Sequence, residues 1–186
     1  MKTKIFLVVV CLSLCLVLTQ SVIAASIQRY SLLAETMQPV DSSISYNNTS
    51  AYLTTTTDST VNGVSQYIGQ LNLSDGATII NVIGFGIDTD PNGEFYFRLY
   101  RYNLTGDPVW SPVTGFASSG VPFSNGKIDI PALVDPSMAA VDNAQFSYGL
   151  FLVLPAASSG QLGVLRFLVE TSVPQTNRAV VVPLFE

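Results

Sequence analysis

A chain of 186 residues with 11% charged residues, a formal net charge of −5 and no histidine has no route to a serine–histidine triad or an ordinary zinc site. The acidic balance argues against nucleic acid and anionic membrane surfaces as partners, because both select basic patches. This length suits one domain with a sizeable core.

In chain order, Lys2 and Lys4 precede an apolar run from Ile5 to Leu18, followed by Val22-Ile23-Ala24. That pattern reads as a signal peptide over residues 1–24, cut after Ala24 with Ala25 as the alternative, and so as a secreted protein, periplasmic or extracellular. The 14-residue run would span about 21 Å as a helix, short of a ~30 Å hydrocarbon core, so no membrane attachment is expected after cleavage. Val10 before Cys11 and Leu14 before Cys15 do not suit a lipoprotein signal. Both cysteines leave with the leader, so packing rather than a disulfide must stabilise what remains. Cleavage leaves six basic against thirteen acidic residues.

Residues 25–49 are polar and rich in Ser and Asn, which predicts an irregular N-terminal arm or strand laid on a single β-sandwich domain over 50–186. Strands are expected at Ala51 to Thr57 and Val64 to Leu71. The strongest local signal is a hairpin of Ala77 to Ile87 and Glu94 to Asn103 around Asp88-Thr89-Asp90-Pro91-Asn92-Gly93. Alternation puts Ile79, Ile83, Phe85 and Ile87 on one face of the first arm and Phe95, Phe97 and Leu99 on one face of the second, seven expected core residues. The other face of the second arm carries Tyr96, Arg98, Tyr100 and Tyr102, and antiparallel sheets leave such a face wet.

A long loop from Leu104 to Asn125 then carries Trp110 between Pro108 and Pro112, and loops of that length are often functional. A short strand is expected at Gly126 to Ile130, a single helical turn near Ser137 to Val141, and a doubly covered central strand at Phe146 to Leu154. Strands at Leu162 to Thr171 and Arg178 to Phe185 close the chain, with Pro183 suiting an edge. About eight strands with turn-rich connections predict an all-β, two-sheet antiparallel sandwich of jelly-roll or Greek-key type.

The stretch Leu73-Ser74-Asp75-Gly76-Ala77-Thr78-Ile79, the acidic turn Asp88 to Gly93, Leu99-Tyr100-Arg101, Asp142-Asn143, Phe146 and Tyr148 follow one another in an order that is itself a pattern. Over roughly residues 50–171 the chain resembles a group of uncharacterised secreted bacterial β-sandwich domains whose opening motif reads LPDGATI. Ser74 stands where that group has proline. The resemblance implies a secreted β-domain and supplies no activity.

Two features carry chemistry. Asp88 to Gly93 fits D-x-[DN]-x-[DN]-G, in which Asp88, Asp90 and Asn92 would converge on Ca²⁺. Leu99 stands at the twelfth position and strands flank the loop, so an EF-hand is excluded. A calcium turn and a plain tight connection both remain open, since turn chemistry alone asks for Pro91, Asn92 and Gly93. The second feature is the stripe Tyr96, Arg98, Tyr100 and Tyr102 with Trp110 nearby. Sugar rings stack on exposed, rigid aromatic faces, whereas a tyrosine-rich strand tucked under a loop would look the same in sequence.

No pair of acids is marked as catalytic by its surroundings, so no enzyme is expected. The residues lead to a secreted, non-catalytic structural or surface-interaction domain, its partner an envelope protein or a polysaccharide. The alternative is a carbohydrate-binding module on the aromatic stripe, with or without a structural calcium.

Overall fold

A computed structural model gives the fold and describes residues 25–48, 52–61, 63–106, 108–120, 127–157 and 161–174. The leader and the expected strand at 178–185, with Pro183, lie outside the described residues. Strands β1 (Ala25–Leu33), β12 (Leu162–Pro174), β6 (Thr78–Asp88) and β10 (Lys127–Ala132) form one sheet in that order. The second sheet runs β2 (Gln38–Pro39), β5 (Gln66–Leu71), β11 (Phe146–Val153), β7 (Tyr96–Asn103) and β8 (Trp110–Pro112), with β9 (Ala117–Ser118) also on β7. β3 (Ser45–Asn47) and β4 (Thr54–Thr57) pair separately. The pairs β6–β10, β6–β12, β2–β5, β5–β11, β7–β11, β7–β8, β7–β9 and β3–β4 are antiparallel, and the two sheets bury a shared core within the unit Ser26–Val173. The expected two-sheet antiparallel sandwich is therefore the observed architecture, with twelve described strands in place of about eight.

The strongest local expectation was wrong in an instructive way. Ala77 to Ile87 and Glu94 to Asn103 do not make a hairpin: β6 pairs with β10 and β12 in one sheet, and β7 pairs with β11, β8 and β9 in the other. The loop from Asp88 to Gly93 carries the chain across the sandwich, so the two arms meet face to face through the core. At Gly84 an added Cβ would come within 2.6 Å of the Phe97 ring, and at Gly86 within 3.0 Å of the Phe95 ring. Phe95 and Phe97, both fully buried, thus fill hollows that two glycines leave on the inner face of β6. Phe97 also packs against Phe167 of β12, with ring centroids 5.1 Å apart.

The same arrangement corrects part of the expected core. Ile79, Phe95, Phe97 and Leu99 are buried, but Ile83, Phe85 and Ile87 are half-buried on the outer face, and Val82, Gly84 and Gly86 point inward. The β6–β12 register passes from Asn81↔Glu170 to Ile79↔Thr171, leaving Ile80 as an extra residue. One unpaired residue shifts the side-chain phase by one, which moves every following residue to the opposite face. The outward Phe85 ring is capped by Arg166, whose guanidinium lies 4.8 Å from its centroid.

Elsewhere the polar N-terminal segment is more regular than its composition suggests. β1 is a nine-residue edge strand, pinned by the Tyr30 hydroxyl, which accepts from the Ser74 backbone N–H at 2.9 Å, and by the Arg29–Glu170 ion pair at 2.8 Å. One turn of 3-10 helix, Ala34–Thr36, then leads to β2 on the other sheet. The long segment after β7 contributes β8 and β9, and 136–138 is a turn without a helix. β11 is central as expected, with Tyr148, Leu150 and Leu152 buried inward and Phe151 and Val153 half-buried outward. Pro131 lies in β10, the sheet edge opposite β1, where a missing N–H costs least. Tyr67 is fully buried; desolvation pushes its phenol up to about 12, and its hydroxyl shares a 2.8 Å hydrogen bond with Thr55.

The glycine hollows are testable by filling one. A Cβ at Gly86 would also stand 2.5 Å from the Gly163 carbonyl oxygen, so Gly86→Ala must move backbone and should cost about 1–3 kcal/mol, or roughly 2–4 °C of Tm per kcal/mol. Gly115→Ala, where the nearest atom is 3.9 Å away, should stay within about 0.5 kcal/mol of the parent in urea unfolding. Equal stability of the two variants would contradict the packing described.

Candidate functional site

The outer face of the second sheet can be laid out from its register. Along β7 the outward residues are Tyr96, Arg98, Tyr100 and Tyr102, lying opposite Val153, Phe151, Gly149 and Ser147 of β11. Gly149 and Phe151 in turn lie opposite Gln70 and Ile68 of β5, while β8 sets Trp110 beside Tyr102 and Pro112 beside Tyr100. Aromatic side chains thus surround a position, 149, that has no side chain. The Trp110 ring leans toward that gap, its Cζ3 3.6 Å from where a Cβ of residue 149 would be.

Trp110 is 47% exposed, so it stands on the face of the sheet rather than plugging the end of the sandwich. Its ring lies 5.0 Å from Tyr102 with planes at 53°, and 5.8 Å from Tyr100 edge to face. Tyr100 continues the cluster to Phe151, 6.1 Å away and again edge to face. Such edge-on contacts fix ring orientations. Two open concavities flank the indole. One, of about 280 Å³, is bounded by Ile68, Gln70, Tyr102, Trp110, Ser147 and Gly149. The other, of about 290 Å³, is bounded by Val40, Ile68, Tyr100, Trp110 and Phe151. The first offers an amide and hydroxyls beside its aromatic wall, and the second is apolar.

Of the residues the sequence singled out, Tyr100, Tyr102 and Trp110 come together and Arg98 sits beside them, its Nη1 3.5 Å from the Tyr100 hydroxyl. Tyr96 belongs elsewhere. Its hydroxyl donates to the Glu94 carboxylate, which also accepts from Ser118; the bonds from Ser118 and Tyr96 hold Glu94 below its usual range, and the bond to Glu94 pushes the Tyr96 phenol up. Sequence reasoning missed Ile68, Gln70, Ser147, Gly149 and Phe151 as site residues. Phe151 had a signal, since apolar residues on both sides of 146–154 mark a central strand, whereas Gly149 leaves none in an alternating pattern.

The loop suspected of binding calcium is built from side-chain-capped turns. Asp88 Oδ1 accepts from the Asp90 N–H at 3.1 Å, and Asp90 Oδ1 accepts from the Asn92 N–H at 2.9 Å. Asp88 is fully buried and Asn92 exposed, and among the described residues no three His, Cys, Asp or Glu side chains converge on a point that would hold a metal. Asp88 Oδ2 is buried with no partner at hydrogen-bond distance, and desolvation raises the pKa of this carboxyl, opposed by the Ser119 hydroxyl and the Asp90 N–H and aided by the charges of Asp90 and Glu94.

The opening motif is also a junction. Leu73 is buried and Gly76 takes a positive φ of 71° in the turn, a conformation glycine adopts without strain. Asn143 donates its backbone N–H to Asp75 and its side-chain amide to the Leu73 carbonyl, both at 2.8 Å, and the Asp142 N–H donates to the Tyr148 hydroxyl at 2.9 Å. The motif's distant halves are therefore in contact. Ser74 uses the backbone N–H that a proline would lack to bind Tyr30 of β1, and its hydroxyl donates to Gln28 Oε1 of the same strand at 2.7 Å.

Among the described residues no helix is long and apolar enough to cross a membrane. Comparison with protein-family models, curated proteins and solved structures finds no match to this chain.

Two measurements follow for the loop. A carboxyl whose folded pKa is raised stabilises the fold most below its unfolded pKa, and that stability is lost as pH rises through the folded value. Asp88→Asn should therefore raise Tm at pH 7, by about 2–4 °C for each ~1 kcal/mol of relieved burial cost, and the gain should vanish toward acid pH. A loop held by its own turns should melt identically in calcium and in chelator; a calcium-held loop at a hundredfold excess over Kd would gain about 2.7 kcal/mol from the ion.

Proposed function

We propose that this chain is a secreted, non-catalytic carbohydrate-binding domain whose ligand stacks on the face formed by Tyr100, Tyr102 and Trp110. The observation that carries the reading is the exposed indole with an open concavity on each side, both sharing Trp110 and Ile68 as walls. Apolar sugar faces stack on such rings, and rings already fixed by edge-to-face neighbours lose little freedom on binding. Gln70, Ser147 and the tyrosine hydroxyls supply polar contacts at the rim. Open hollows along a sheet face suit a polymer laid over the surface, in contrast to the enclosed clefts that surround small molecules.

A non-catalytic role agrees with the residue inventory. Histidine is absent, and among the described residues the carboxyl whose pKa is raised, Asp88, is buried. Secretion rests on the leader pattern of residues 1–24. A structural role with an envelope protein as partner is the second reading, favoured by the nine-residue strand β1 at a sheet edge, where an added strand finds backbone hydrogen bonds.

Retention of protein carrying residues 25–186 on a panel of insoluble polysaccharides separates the two. Binding to at least one glycan is expected, with a loss of roughly tenfold or more in Tyr100→Ala, Trp110→Ala, as removing ~1.4 kcal/mol of stacking implies. Retention unchanged in the double variant would refute the site, and no retention on any glycan would favour the edge-strand reading.

A further inference from the structure

We infer that the ligand of this face is anionic, a polysaccharide bearing carboxylates of the uronic-acid class, with Arg98 as the residue that selects it. The inference rests on the carbohydrate-binding reading and names its substrate class.

Three arginines of the sandwich lie over aromatic rings: Arg98 over Phe116 at 3.9 Å, Arg101 over Phe146 at 4.2 Å and Arg166 over Phe85 at 4.8 Å. Only Arg98 shares a face with Trp110. Arg166 points outward from the other sheet, and Arg101 alternates to the opposite side of β7, near Asp135, whose pKa is held down by its hydrogen bonds from Ser137 with a smaller contribution from the Arg101 charge. Arg98 lies directly across from Phe151, a wall of the second concavity, and two residues before Tyr100, whose ring centroid is 5.7 Å from its guanidinium.

Among the described residues the ion pair is Arg29 with Glu170, and Arg98 has no carboxylate partner. Its one hydrogen bond is the long contact of 3.5 Å to the Tyr100 hydroxyl, and its Nε is buried without an acceptor. Stacking on Phe116 covers one flat face of the guanidinium and Nε is buried, so the donors left for a ligand are those of the two Nη groups in the plane. That fork matches a carboxylate with two parallel hydrogen bonds, and a half-buried position strengthens each of them. A half-buried cation without a counter-charge, beside a sugar-stacking platform, is completed by an anion on the sugar. The excess of thirteen acidic over six basic residues in 25–186 repels polyanions at long range, so retention of one would report this local contact rather than general attraction.

The test compares polygalacturonate with its methyl ester, and alginate with its propylene glycol ester, pairs that keep the backbone and remove the charge. Affinity electrophoresis of residues 25–186 should show at least one acid form bound about tenfold or more tighter than its ester. Arg98→Gln should bind acid and ester alike, and Arg98→Lys, which keeps the charge and loses the fork, should lose most of the preference. Melting temperatures of the variants establish that each is folded, and should Arg98→Gln fail to fold, Arg98→Lys carries the comparison. No preference for acid over ester, or a preference that survives both substitutions, overturns the inference. In that event a binding loss confined to Trp110→Ala leaves the platform standing. Unchanged binding in Trp110→Ala removes the platform, and the inference with it.

Discussion

The aromatic outer face of the second sheet depends on how closely two sheets approach at Gly84 and Gly86. Phe95 and Phe97 sit where side chains of β6 would otherwise be, so two large rings from one sheet fill the space that opposing layers usually share. Burying these rings supplies much of the apolar drive available near that seam, and it fixes the height and tilt of β7. Because side chains alternate, Phe97 and Leu99 locked inward oblige Arg98, Tyr100 and Tyr102 to face out. The aromatic platform is the reverse side of the core's tightest contact.

Much of this was legible. Alternation in Phe95 to Tyr102 assigned both faces of β7, and the run from Phe146 to Leu154 was recognisable as a central strand because apolar residues occupied both of its faces. What sequence could not show was partnership. Two amphipathic strands joined by Asp-x-Asp-Pro-Asn-Gly satisfy the rules for a hairpin and for a crossing between sheets equally well, since each rule concerns the strand and its turn and none concerns its neighbour. Ile83, Phe85 and Ile87 were misplaced for a related reason: the extra residue at Ile80 reverses the phase, and a bulge leaves no composition signal when the inserted residue is itself apolar.

The candidate site divides along the same line. Tyr100, Tyr102 and Trp110 were found because large aromatics are conspicuous, while Gly149, which makes room for the indole, and Ile68 and Gln70, which come from a strand far away in sequence, become visible only through the register of β11. Asp88 shows the opposite case. Its motif fits a cation turn and an ordinary turn alike, and one oxygen each of Asp88 and Asp90 accepts from the backbone of the loop they begin, a use found in ordinary turns. The chemistry of a residue type was readable; its employer was not.

The order of strands in the first sheet has a consequence for the life of the chain before it folds. The last described strand, β12, lies between β1 and β6, so the earliest strand has no partner in that sheet until the final one has been made. A polypeptide emerging from the ribosome therefore holds its sheet open until residue 162 and beyond are available, and nearly complete synthesis must precede assembly. Strand order alone thus acts as a timer for this sheet, deferring its closure until the last described strand is in hand.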